Sequence, residues 1–391
     1  MQGFIALALI LGFVSPCLCT RMNVGTENAI YNVIQYGARG DGITDDLQVD
    51  AFVSAFSSAC KAAGMSTLII PAGKKYMVSK ANFSGRCSAR VLIQLEGQIV
   101  APSRAAWKSK LYWISVEYVD ELTIDGNNKG GFHGGGPTWW QCPTCDRPVM
   151  LFFHSCNGLN VRNLRILNSP RSHVAVTMCN HSTFSHISIN SAATSPNTDG
   201  FDISRSSNVL IENSMIRSGD DCIALNSGSF FINVTRVTCG PGHGISIGNL
   251  GRSRSNDQVS DVYIRNCTFI GTTNGARIKT VPGGSGYARQ ITFEQVILSN
   301  VMNPIIIDQG YKISPTDTSV RVSSVTYRGF TGTSASKIAV NLNCSSSGCF
   351  DILLDQNNIV ATQAGKMTSF FCRNAHGTVR NTFPNVSCLS N

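Results

Sequence analysis

One part of the chain contains residue types that commonly catalyse reactions or bind ligands. They are carboxylates, a histidine and cationic side chains, and they lie between β-branched segments. The spacing from Asp199 to Asp221 is repeated from Asp221 to His243. A longer spacing leads from His243 to Arg277 and is repeated from Arg277 to Tyr311. If these intervals are turns of a solenoid, the five side chains stack on one wall. The segments that carry them are SPNTDGFD (Ser195–Asp202), SGDDC (Ser218–Cys222), CGPGHGISIG (Cys239–Gly248) and ARIKT (Ala276–Thr280).

The acidic residues of this stretch predict acid–base chemistry. Stacking would place Asp199 close to Asp220 and Asp221, and carboxylates gathered in this way cannot all ionise normally, so at least one pKa should rise. Cleavage of a glycosidic bond needs a protonated carboxyl beside ionised ones, because one group protonates the leaving oxygen while another activates water or attacks carbon. A carboxyl separation of about 6.5–9.5 Å gives inversion and about 5–5.5 Å gives retention. The spacing leaves this choice open.

The basic residues predict a site for an anion. Arg277 and Lys279 are separated by one residue, so on a strand both point to the same side and could hold a substrate carboxylate. His243 lies between Gly242 and Gly244, which would let a substrate approach the backbone closely. Acidic groups that could cleave a glycosidic bond and basic groups that could bind a carboxylate, on one wall, together indicate an anionic sugar polymer as the substrate.

Each of these residues has a simpler interpretation when it is taken alone. Asp199 in Asn-Thr-Asp-Gly would be a turn residue, and the pair Asp220–Asp221 would be a solvated turn or a calcium ligand. A lone His243 would be structural, and Arg277 and Lys279 would be surface charges. The recurrence of four polar clusters on successive coils is what favours a functional site.

A degenerate repeat predicts an all-β solenoid. One apolar position of a recurring strand phrase returns at unequal intervals, which all fall within the range of about 20–50 residues that solenoid repeats span. These positions are Val161, Phe184, Ile211, Val234, Ile264, Phe293, Tyr327 and Leu354. A repeat of this kind without helical periodicity is typical of coils whose equivalent strands pair in parallel, about 4.8 Å apart. A leucine-rich repeat would need a stricter leucine pattern, and a sandwich or jelly roll would not give an in-phase repeat.

Different elements are predicted at the two ends of the solenoid. An amphipathic helix, roughly Leu47–Ala63, is expected after an N-cap at Asp45 or Asp46, and a strand follows at Thr67–Ile70. This helix would cover one end of the core, and the tail Cys372–Cys388 would cover the other, because a bare sheet edge invites aggregation.

The composition is that of a turn-rich globular protein with few charged residues. The 391 residues are 42% hydrophobic and 14% charged, and the formal charge is +9. Scattered Lys and Arg residues argue against a nucleic-acid partner and suit either an acidic polysaccharide or simple solubility. Met1–Thr20 is predicted to be a secretory signal, because its apolar run Phe4–Val14 is too short for a bilayer and is followed by Ser15 and Pro16. No later run would span a membrane.

The cysteines and the glycosylation motifs agree with secretion. Of 15 cysteines, Cys17 and Cys19 belong to the predicted signal. The large number that remains predicts an oxidising compartment, and because that number is odd, at least one thiol is left over. For Cys142-x-x-Cys145 zinc is a weaker alternative, because no second pair lies at ligand spacing. The expected local disulfides are Cys60–Cys87, Cys222–Cys239, Cys344–Cys349 and Cys372–Cys388. N-glycosylation sequons lie at Asn82, Asn180, Asn233, Asn266, Asn343 and Asn385.

With these motifs in place, the chain resembles the polygalacturonases, pectin-degrading glycoside hydrolases, and most of all the plant members. The resemblance covers nearly the whole mature chain. Its motifs are YNVIQYGARGDGITDD (Tyr31–Asp46), TIDG (Thr123–Gly126), WW (Trp139–Trp140), NSP (Asn168–Pro170), SPNTDGFD, GDDC, CGPGHGISIG, RIK and NPIIIDQGY (Asn303–Tyr311). The combination of GHGISIG and RIK after NTD and DD is highly specific.

The resemblance implies a right-handed parallel β-helix that hydrolyses α-1,4-galacturonosyl bonds of de-esterified pectin with inversion and without a cofactor or metal. It implies that Asp220 is the general acid and that Asp199 and Asp221 activate the water.

The same resemblance implies the binding residues. His243 would support substrate binding or the protonation of the acid. Arg277 and Lys279 would hold the galacturonate carboxylate, Tyr311 would line a neighbouring subsite, and Asn197 would orient the site. The expected partner is polygalacturonate, with no nucleic acid and no membrane.

Three features depart from the plant pattern. Asp202 stands where a histidine is usual, and Lys312 stands where a cysteine is usual, which also bears on the odd number of cysteines. The segment Gly126–Gly136 is longer and richer in glycine, which predicts an altered cleft.

The expected organisation is a signal at residues 1–20 and one catalytic domain at 21–391, in a monomer secreted to the cell wall. Two alternatives remain open: a β-helix that binds pectin without cutting it, and a β-elimination lyase that uses calcium and an arginine base.

Overall fold

The computed structural model describes residues 28–47, 50–107, 111–142, 144–311 and 320–389. In these ranges the strands pair in parallel, coil upon coil, in the order of the sequence. The chain is therefore an all-β parallel β-helix, and the predicted fold class is confirmed. The predicted signal, Met1–Thr20, lies outside the described residues.

The strands belong to two sheets. In chain order they are β1 Ala29–Asn32, β2 Asp41–Asp45, β3 Met65–Ile70, β4 Lys75–Met77, β5 Ala81–Ser84, β6 Arg90–Leu95, β7 Gln98–Val100, β8 Tyr112–Glu117, β9 Thr123–Asp125, β10 Gly131–His133, β11 Val149–His154, β12 Asn160–Arg162, β13 Arg165–Leu167, β14 Val174–Thr177, β15 Asn180–Ser185, β16 Ser188–Asn190, β17 Phe201–Ser204, β18 Ser207–Arg217, β19 Ile223–Leu225, β20 Ser229–Cys239, β21 Ile245–Leu250, β22 Asn256–Ile270, β23 Asn274–Thr280, β24 Ser285–Val301, β25 Asn303–Asp308, β26 Arg321–Ser334, β27 Ile338–Asn343, β28 Cys349–Asp355, β29 Asn358–Ala361, β30 Ser369–Arg373 and β31 Ala375–Arg380. An 11-stranded sheet contains β5, β8, β11, β14, β17, β19, β21, β23, β25, β27 and β30, and the others form a 20-stranded sheet.

The predicted repeat is the ladder of the larger sheet. Each of the eight apolar positions faces the next one on the following coil, from Val161 opposite Phe184 to Tyr327 opposite Leu354. All eight are buried. Because the strands keep register although the sequence intervals are unequal, the differences in length are absorbed outside this ladder, in the turns and in the opposite sheet.

The N-terminal helix covers one end of this core. Helix α1 is Ala51–Lys61, which is shorter than the predicted Leu47–Ala63. Its buried side chains include Phe52 and Phe56, whose rings meet those of Tyr76 and Phe83 edge to face. The second α-helix of the described ranges, α2, is the single turn Pro137–Trp140. Short 3₁₀ helices lie at Val33–Tyr36, Arg104–Ala106, Arg252–Arg254 and Ser387–Leu389.

The predicted N-cap of α1 is wrong. The N-cap residue is Asp50, and its side chain makes no capping hydrogen bond to a described residue. The Asp46 carboxylate instead accepts from the backbone N–H groups of Arg39 and Gly40. Asp45 accepts from the N–H of Ser79 in a neighbouring coil. Both carboxylates therefore tie loops together, and their proximity to the helix in sequence was misleading.

The four expected disulfides are present, and another joins Cys142 to Cys145, so the zinc alternative is wrong. Among the described residues, the free cysteines are Cys156, Cys179 and Cys267, and all of them are buried. At the C-terminal end Val386 and Leu389, beside the Cys372–Cys388 bridge, join the core. This agrees with the prediction that the tail covers the second end.

The glycine-rich segment Gly126–Gly136 belongs to the coil ladder. Gly131 of β10 pairs with residues of β7 and β13, and a Cβ there would lie 1.9 Å from the carbonyl oxygen of Arg165. Close stacking of coils therefore explains this glycine without any change to the cleft. None of the helices in the described ranges has the length and apolar character that crossing a bilayer needs.

Candidate active site

The carboxylates and the histidine lie on loops that lead into consecutive strands of the 11-stranded sheet. Phe201 on β17 faces Ile223 on β19, which faces Ile245 on β21. Asp199, Asp221 and His243 each lie two positions before these paired residues, so they occupy equivalent positions on three successive coils. The sequence prediction that this spacing means stacking is confirmed.

The two longer intervals, from His243 to Arg277 and from Arg277 to Tyr311, are not register intervals, and that part of the prediction is wrong. Arg277 lies inside β23 and faces Ser246, whereas His243 precedes its strand. Arg277 in turn faces Ile306 of β25, so Tyr311 lies beyond the position that stacks on Arg277. Because the coils differ in length, residues at equal sequence spacing lie at different positions within their coils.

Tyr311 nevertheless reaches the same cluster. Its ring centroid is 5.9 Å from the guanidinium carbon of Arg277 and 5.3 Å from Nζ of Lys279. Cations at this distance from a ring are attracted by its π-face. The tyrosine thus lines the cleft beside both cationic residues, and its role in a neighbouring subsite stays a prediction. Lys312 lies outside the described residues.

Asp221 is the buried centre of an ion cluster. Arg277 Nη2 donates to its Oδ1 at 2.5 Å, and Lys279 Nζ donates to its Oδ2 at 2.7 Å. The hydroxyl of Ser246 donates to Oδ1 at 2.9 Å and accepts from Nε of Arg277 at 2.8 Å. Both cations therefore point to the same side of β23, as predicted, but they are already engaged by a carboxylate of the protein.

Asp220 is more open, and His243 holds it. Nδ1 of His243 is 2.9 Å from Asp220 Oδ1, and Nδ2 of Asn197 donates to Asp220 Oδ2 at 3.4 Å. Burial alone would raise the pKa of Asp220, but the hydrogen bond and charge of His243, together with the charge of Lys279, outweigh burial and lower this pKa. The carboxyl of Asp220 therefore favours its ionised form in the free cleft.

Asp199 shows the rise in pKa that the clustering of carboxyls predicts. Burial is the largest cause, and the charges of Asp202, Asp220 and Asp221 add to it, so the pKa of Asp199 lies well above its usual value. Burial also raises the pKa of Asp202, which hydrogen-bonds Asp199 and accepts from the hydroxyl of Ser172. In the free cleft the carboxyls whose pKa is raised are thus Asp199 and Asp202, whereas the resemblance assigns the acid role to Asp220.

His173, which the sequence interpretation missed, supports Asp199 from behind. Its backbone N–H donates to the Asp199 carbonyl at 2.8 Å, and its Nδ1 lies 2.9 Å from the same oxygen. Nε2 is 2.8 Å from the hydroxyl of Ser191. Full burial is the largest cause that lowers the pKa of His173, to about 4. The NSP motif just before it was the available signal.

Replacing His173 with glutamine is expected to flatten the pH dependence of stability. A pKa of about 4 in the folded chain and about 6.5 in the unfolded chain means that the unfolded state binds the proton first as the pH falls. His173 therefore costs stability progressively below a pH of about 6.5, by about 2–3 kcal/mol at pH 4.5. Urea unfolding of both proteins at pH 7 and 4.5 measures this difference. Equal losses in both would contradict the interpretation.

The glycines that flank His243 serve coil stacking. Gly244 has φ of 76°, and a Cβ there would lie 2.0 Å from the carbonyl oxygen of Asn274. At Gly242 the nearest atom to such a Cβ is the carbonyl oxygen of Asp220. Packing between coils therefore accounts for both glycines, and the close approach of a substrate to this backbone stays a prediction.

The site lies in an open cleft of about 1140 Å³. Its lining includes Asp199, Asp202, Asp220, Asp221, Asn197, Lys279 and Tyr311 from the sequence prediction. Arg171, Asn226 and Arg252 also line it and were not singled out. A cationic residue at the mouth, such as Arg171, suits an anionic chain.

The arrangement disfavours a bound metal ion. Ligand atoms of Asp220, Asp221 and His243 lie within 4.8 Å of one another. However, both oxygens of Asp221 accept from Arg277 and Lys279, and His243 Nδ1 faces Asp220. Cationic side chains already occupy the positions that a metal would take.

Comparison with known proteins agrees with this geometry. A probable polygalacturonase of Arabidopsis thaliana is 42% identical over 94% of this chain and 82% of its own length. Polygalacturonase-2 of Solanum lycopersicum is 37% identical over 89% of this chain and 78% of its own. The crystal structure of an endo-xylogalacturonan hydrolase from Aspergillus tubingensis superposes with a TM-score of 0.80 at 26% identity, over 90% of this chain and 99% of that one.

A family model matches residues 60–388, which contain every site residue described above. The match covers both sheets and the carboxylate cleft, so it concerns the fold and the site together. The chain belongs to glycosyl hydrolases family 28 and is a glycoside hydrolase.

Proposed function

We propose that this protein is a polygalacturonase that hydrolyses α-1,4-galacturonosyl linkages of de-esterified pectin with inversion. The observation that carries the proposal is the gathering of Asp199, Asp220 and Asp221, with His243, at one open cleft that cations also line. The relatives named polygalacturonases, at 36–42% identity for the first three, support the same substrate.

Asp220 is the proposed general acid. Its side chain is 22% exposed, against 2% for Asp221, so it can reach a glycosidic oxygen in the cleft. His243 holds it in place through a hydrogen bond at Nδ1. The buried Asp221 keeps Arg277 and Lys279 fixed beside the reacting sugar and contributes negative charge where a cationic transition state develops.

The pKa directions in the free cleft require one proton to move before reaction. Protonated Asp199 with ionised Asp220, and ionised Asp199 with protonated Asp220, carry the same total charge. A glycosidic oxygen beside Asp220 accepts a hydrogen bond only from the protonated acid, so a bound substrate favours the second arrangement. The carboxyl cluster thus favours the proton on Asp199 in the free cleft and on Asp220 in the reactive complex.

In the reactive complex the atoms balance as follows. Asp220 gives its proton to the leaving glycosidic oxygen as the bond from that oxygen to the anomeric carbon breaks. A water molecule attacks the opposite face of the sugar and loses a proton to Asp199, with Asp221 helping to orient it. One inversion at carbon turns an α-linkage into a β-configured product.

We further propose that residues 21–391 form one catalytic domain, secreted as a monomer to the extracellular space and cell wall. The disulfides suit an oxidising compartment. Exposed sequon residues at Asn82, Asn233, Asn266 and Asn385 would be accessible to glycosylation. The proposed partner is the polysaccharide, with no nucleic acid, membrane or cofactor.

The purified protein is expected to release reducing ends from polygalacturonate at mildly acidic pH, with a neutral glucan as the control substrate. Proton NMR of the first products should show the β-anomer, as inversion requires. Chromatography of the same samples separates a ladder of oligomers from monomer alone.

The alternatives predict different products. A lyase would give an unsaturated product that absorbs ultraviolet light and would stop when calcium is chelated. A protein that only binds pectin would release no reducing ends although it bound polygalacturonate. Either result would overturn the proposed function.

A further inference from the structure

We infer that Arg147 is a positioning residue for the reaction, which holds Asn197 so that the Asn197 amide donates to the carboxyl of Asp220. The kinetic part of this inference rests on the proposed function, and the geometric part rests only on the hydrogen bonds that Arg147 makes. Arg147 lies in the loop before β11, shortly after the Cys142–Cys145 disulfide and 50 residues from Asn197.

The guanidinium of Arg147 joins three loops on successive coils. Its Nη1 donates to the carbonyl oxygens of Pro196 and Pro170, the latter at 3.4 Å. Its Nη2 donates to Oδ1 of Asn197 at 2.7 Å. These loops precede β11, β14 and β17, so one planar group fixes the entrances of three neighbouring strands of the site sheet.

The contact with Oδ1 determines which way the Asn197 amide faces. An amide has one oxygen that accepts and one nitrogen that donates. Because Arg147 can only donate, the oxygen must face Arg147, and the nitrogen is left to face Asp220 Oδ2 at 3.4 Å. Without Arg147 the amide could turn over and present its oxygen to the carboxyl instead.

The backbone at Asn197 adds a second constraint. Its φ is 54°, in the left-handed region, where asparagine is among the few non-glycine residues that are tolerated. The side chain is exposed to the cleft, so packing does not restrain it. Hydrogen bonds from Arg147 to Asn197 and to the carbonyl just before it therefore hold both the loop and the side chain.

The environment of Arg147 is costly for a cation, which argues against an incidental contact. Burial is the main cause that lowers its pKa, and the nearby charge of Arg171 adds to it. Across the described part of the chain no carboxylate lies within salt-bridge distance of Arg147; its acceptors are neutral carbonyl and amide oxygens. A partly buried cation without a counter-ion is destabilising. A role in holding Asn197 against Asp220 would explain why an arginine stands at this position.

The Asp220 carboxyl has hydrogen-bond partners at both oxygens. His243 and the backbone N–H of Asp221 hold Oδ1, each at 2.9 Å, and Asn197 holds Oδ2. Partners at both oxygens fix the plane of the carboxyl, and so the direction in which its proton points. Loss of the donor at Oδ2 allows rotation, and small misplacements of a catalytic group cost up to about 100-fold in rate.

Arg147→Gln is the test variant, with Arg165→Gln as the matched control, because Arg165 is exposed on β13 of the other sheet. On polygalacturonate, Arg147→Gln is expected to lower kcat about 10- to 100-fold with little change in KM, whereas Arg165→Gln keeps both. The alkaline limb of the pH profile should move to higher pH, because Asp220 loses a donor that favours its ionised form.

The coupling between the two residues gives a second criterion. Asn197→Ala should reproduce the loss of kcat, and Arg147→Gln combined with Asn197→Ala should be no worse than either alone. Millimolar guanidinium should partly restore kcat in Arg147→Ala. Multiplying losses in the double variant, or a fall in thermal stability with an unmoved pH profile, would reduce Arg147 to a structural residue and overturn the inference.

Crystal structures of wild type and Arg147→Gln decide the geometric part without any substrate. The expected result is an Asn197 amide turned away from Asp220, with the coils unchanged. An Asn197 amide and Asp220 carboxyl in their present positions would overturn the inference even if the enzyme acted on another polymer. Conversely, a displaced amide in an enzyme inactive on polygalacturonate would refute only the proposed substrate.

Discussion

Asp220→Asn is expected to reduce hydrolysis of polygalacturonate by at least about 100-fold, since positioned acid catalysis contributes about 10²–10⁴-fold. An amide can still accept a hydrogen bond from His243 through its oxygen, but it has no acidic proton to give to a leaving group. The partly exposed position of the side chain keeps the change in unfolding free energy below about 1 kcal/mol. Reducing-end assays and urea unfolding measure the two effects.

The matched control is Asp351→Asn, which removes one carboxylate from an exposed position on β28. Asp351 has φ of 56°, which asparagine adopts readily, so this variant should keep both activity and stability. If Asp220→Asn kept full activity, the acid would have to be sought elsewhere, and the raised pKa of Asp199 would make that residue the first candidate.

Asp221→Asn is expected to lose stability as well as activity. The 2%-exposed carboxylate is bound by Arg277 and Lys279, and its removal leaves two buried cations without a partner. Breaking a buried ion pair costs about 3–5 kcal/mol. Activity should fall by more than about 100-fold, because the cations no longer keep their places in the cleft. Urea unfolding and reducing-end assays of the same preparation measure both losses.

Two further variants test the cause of that loss. Glu212→Gln removes the carboxylate of an exposed pair with Arg236, where the arginine is 50% exposed, and should cost less than about 1 kcal/mol. Adding Lys279→Met to Asp221→Asn removes one of the two unpaired cations and should recover part of the stability but none of the activity. A cost for Asp221→Asn no larger than that for Glu212→Gln would show that the cluster is open to solvent.

The ladder of the larger sheet could be predicted from the sequence because it depends on local pattern. Each coil repeats an apolar position, such as Ile211 or Val234, and parallel register follows when those positions stack. The two equal steps of the site could be predicted for the same reason. Asp199, Asp221 and His243 each lie two positions before a paired strand residue, and the coils between them are equal in length.

The other parts of the candidate site depend on contacts that no local sequence pattern encodes. Arg277 reaches Asp221 across 56 residues, and Arg147 reaches Asn197 across 50. In both cases turns of unequal length intervene, so equal spacing was misleading for Arg277, and Arg147 carried no spacing signal at all. The sequence predicted that one carboxyl pKa would rise but not which one, because the pKa of Asp199 depends on burial and on three neighbouring carboxyls.

The in-register stacking also limits how far a disturbance can travel. Each coil touches mainly the coil before it and the coil after it, so the molecule behaves as a one-dimensional chain of units with nearest-neighbour coupling. Leu68 and Ile93 face each other in the first coils, several coils away from β17, and substitutions there should add independently to changes at the cleft. The terminal coils can therefore vary in sequence without changing how the carboxyls share their proton.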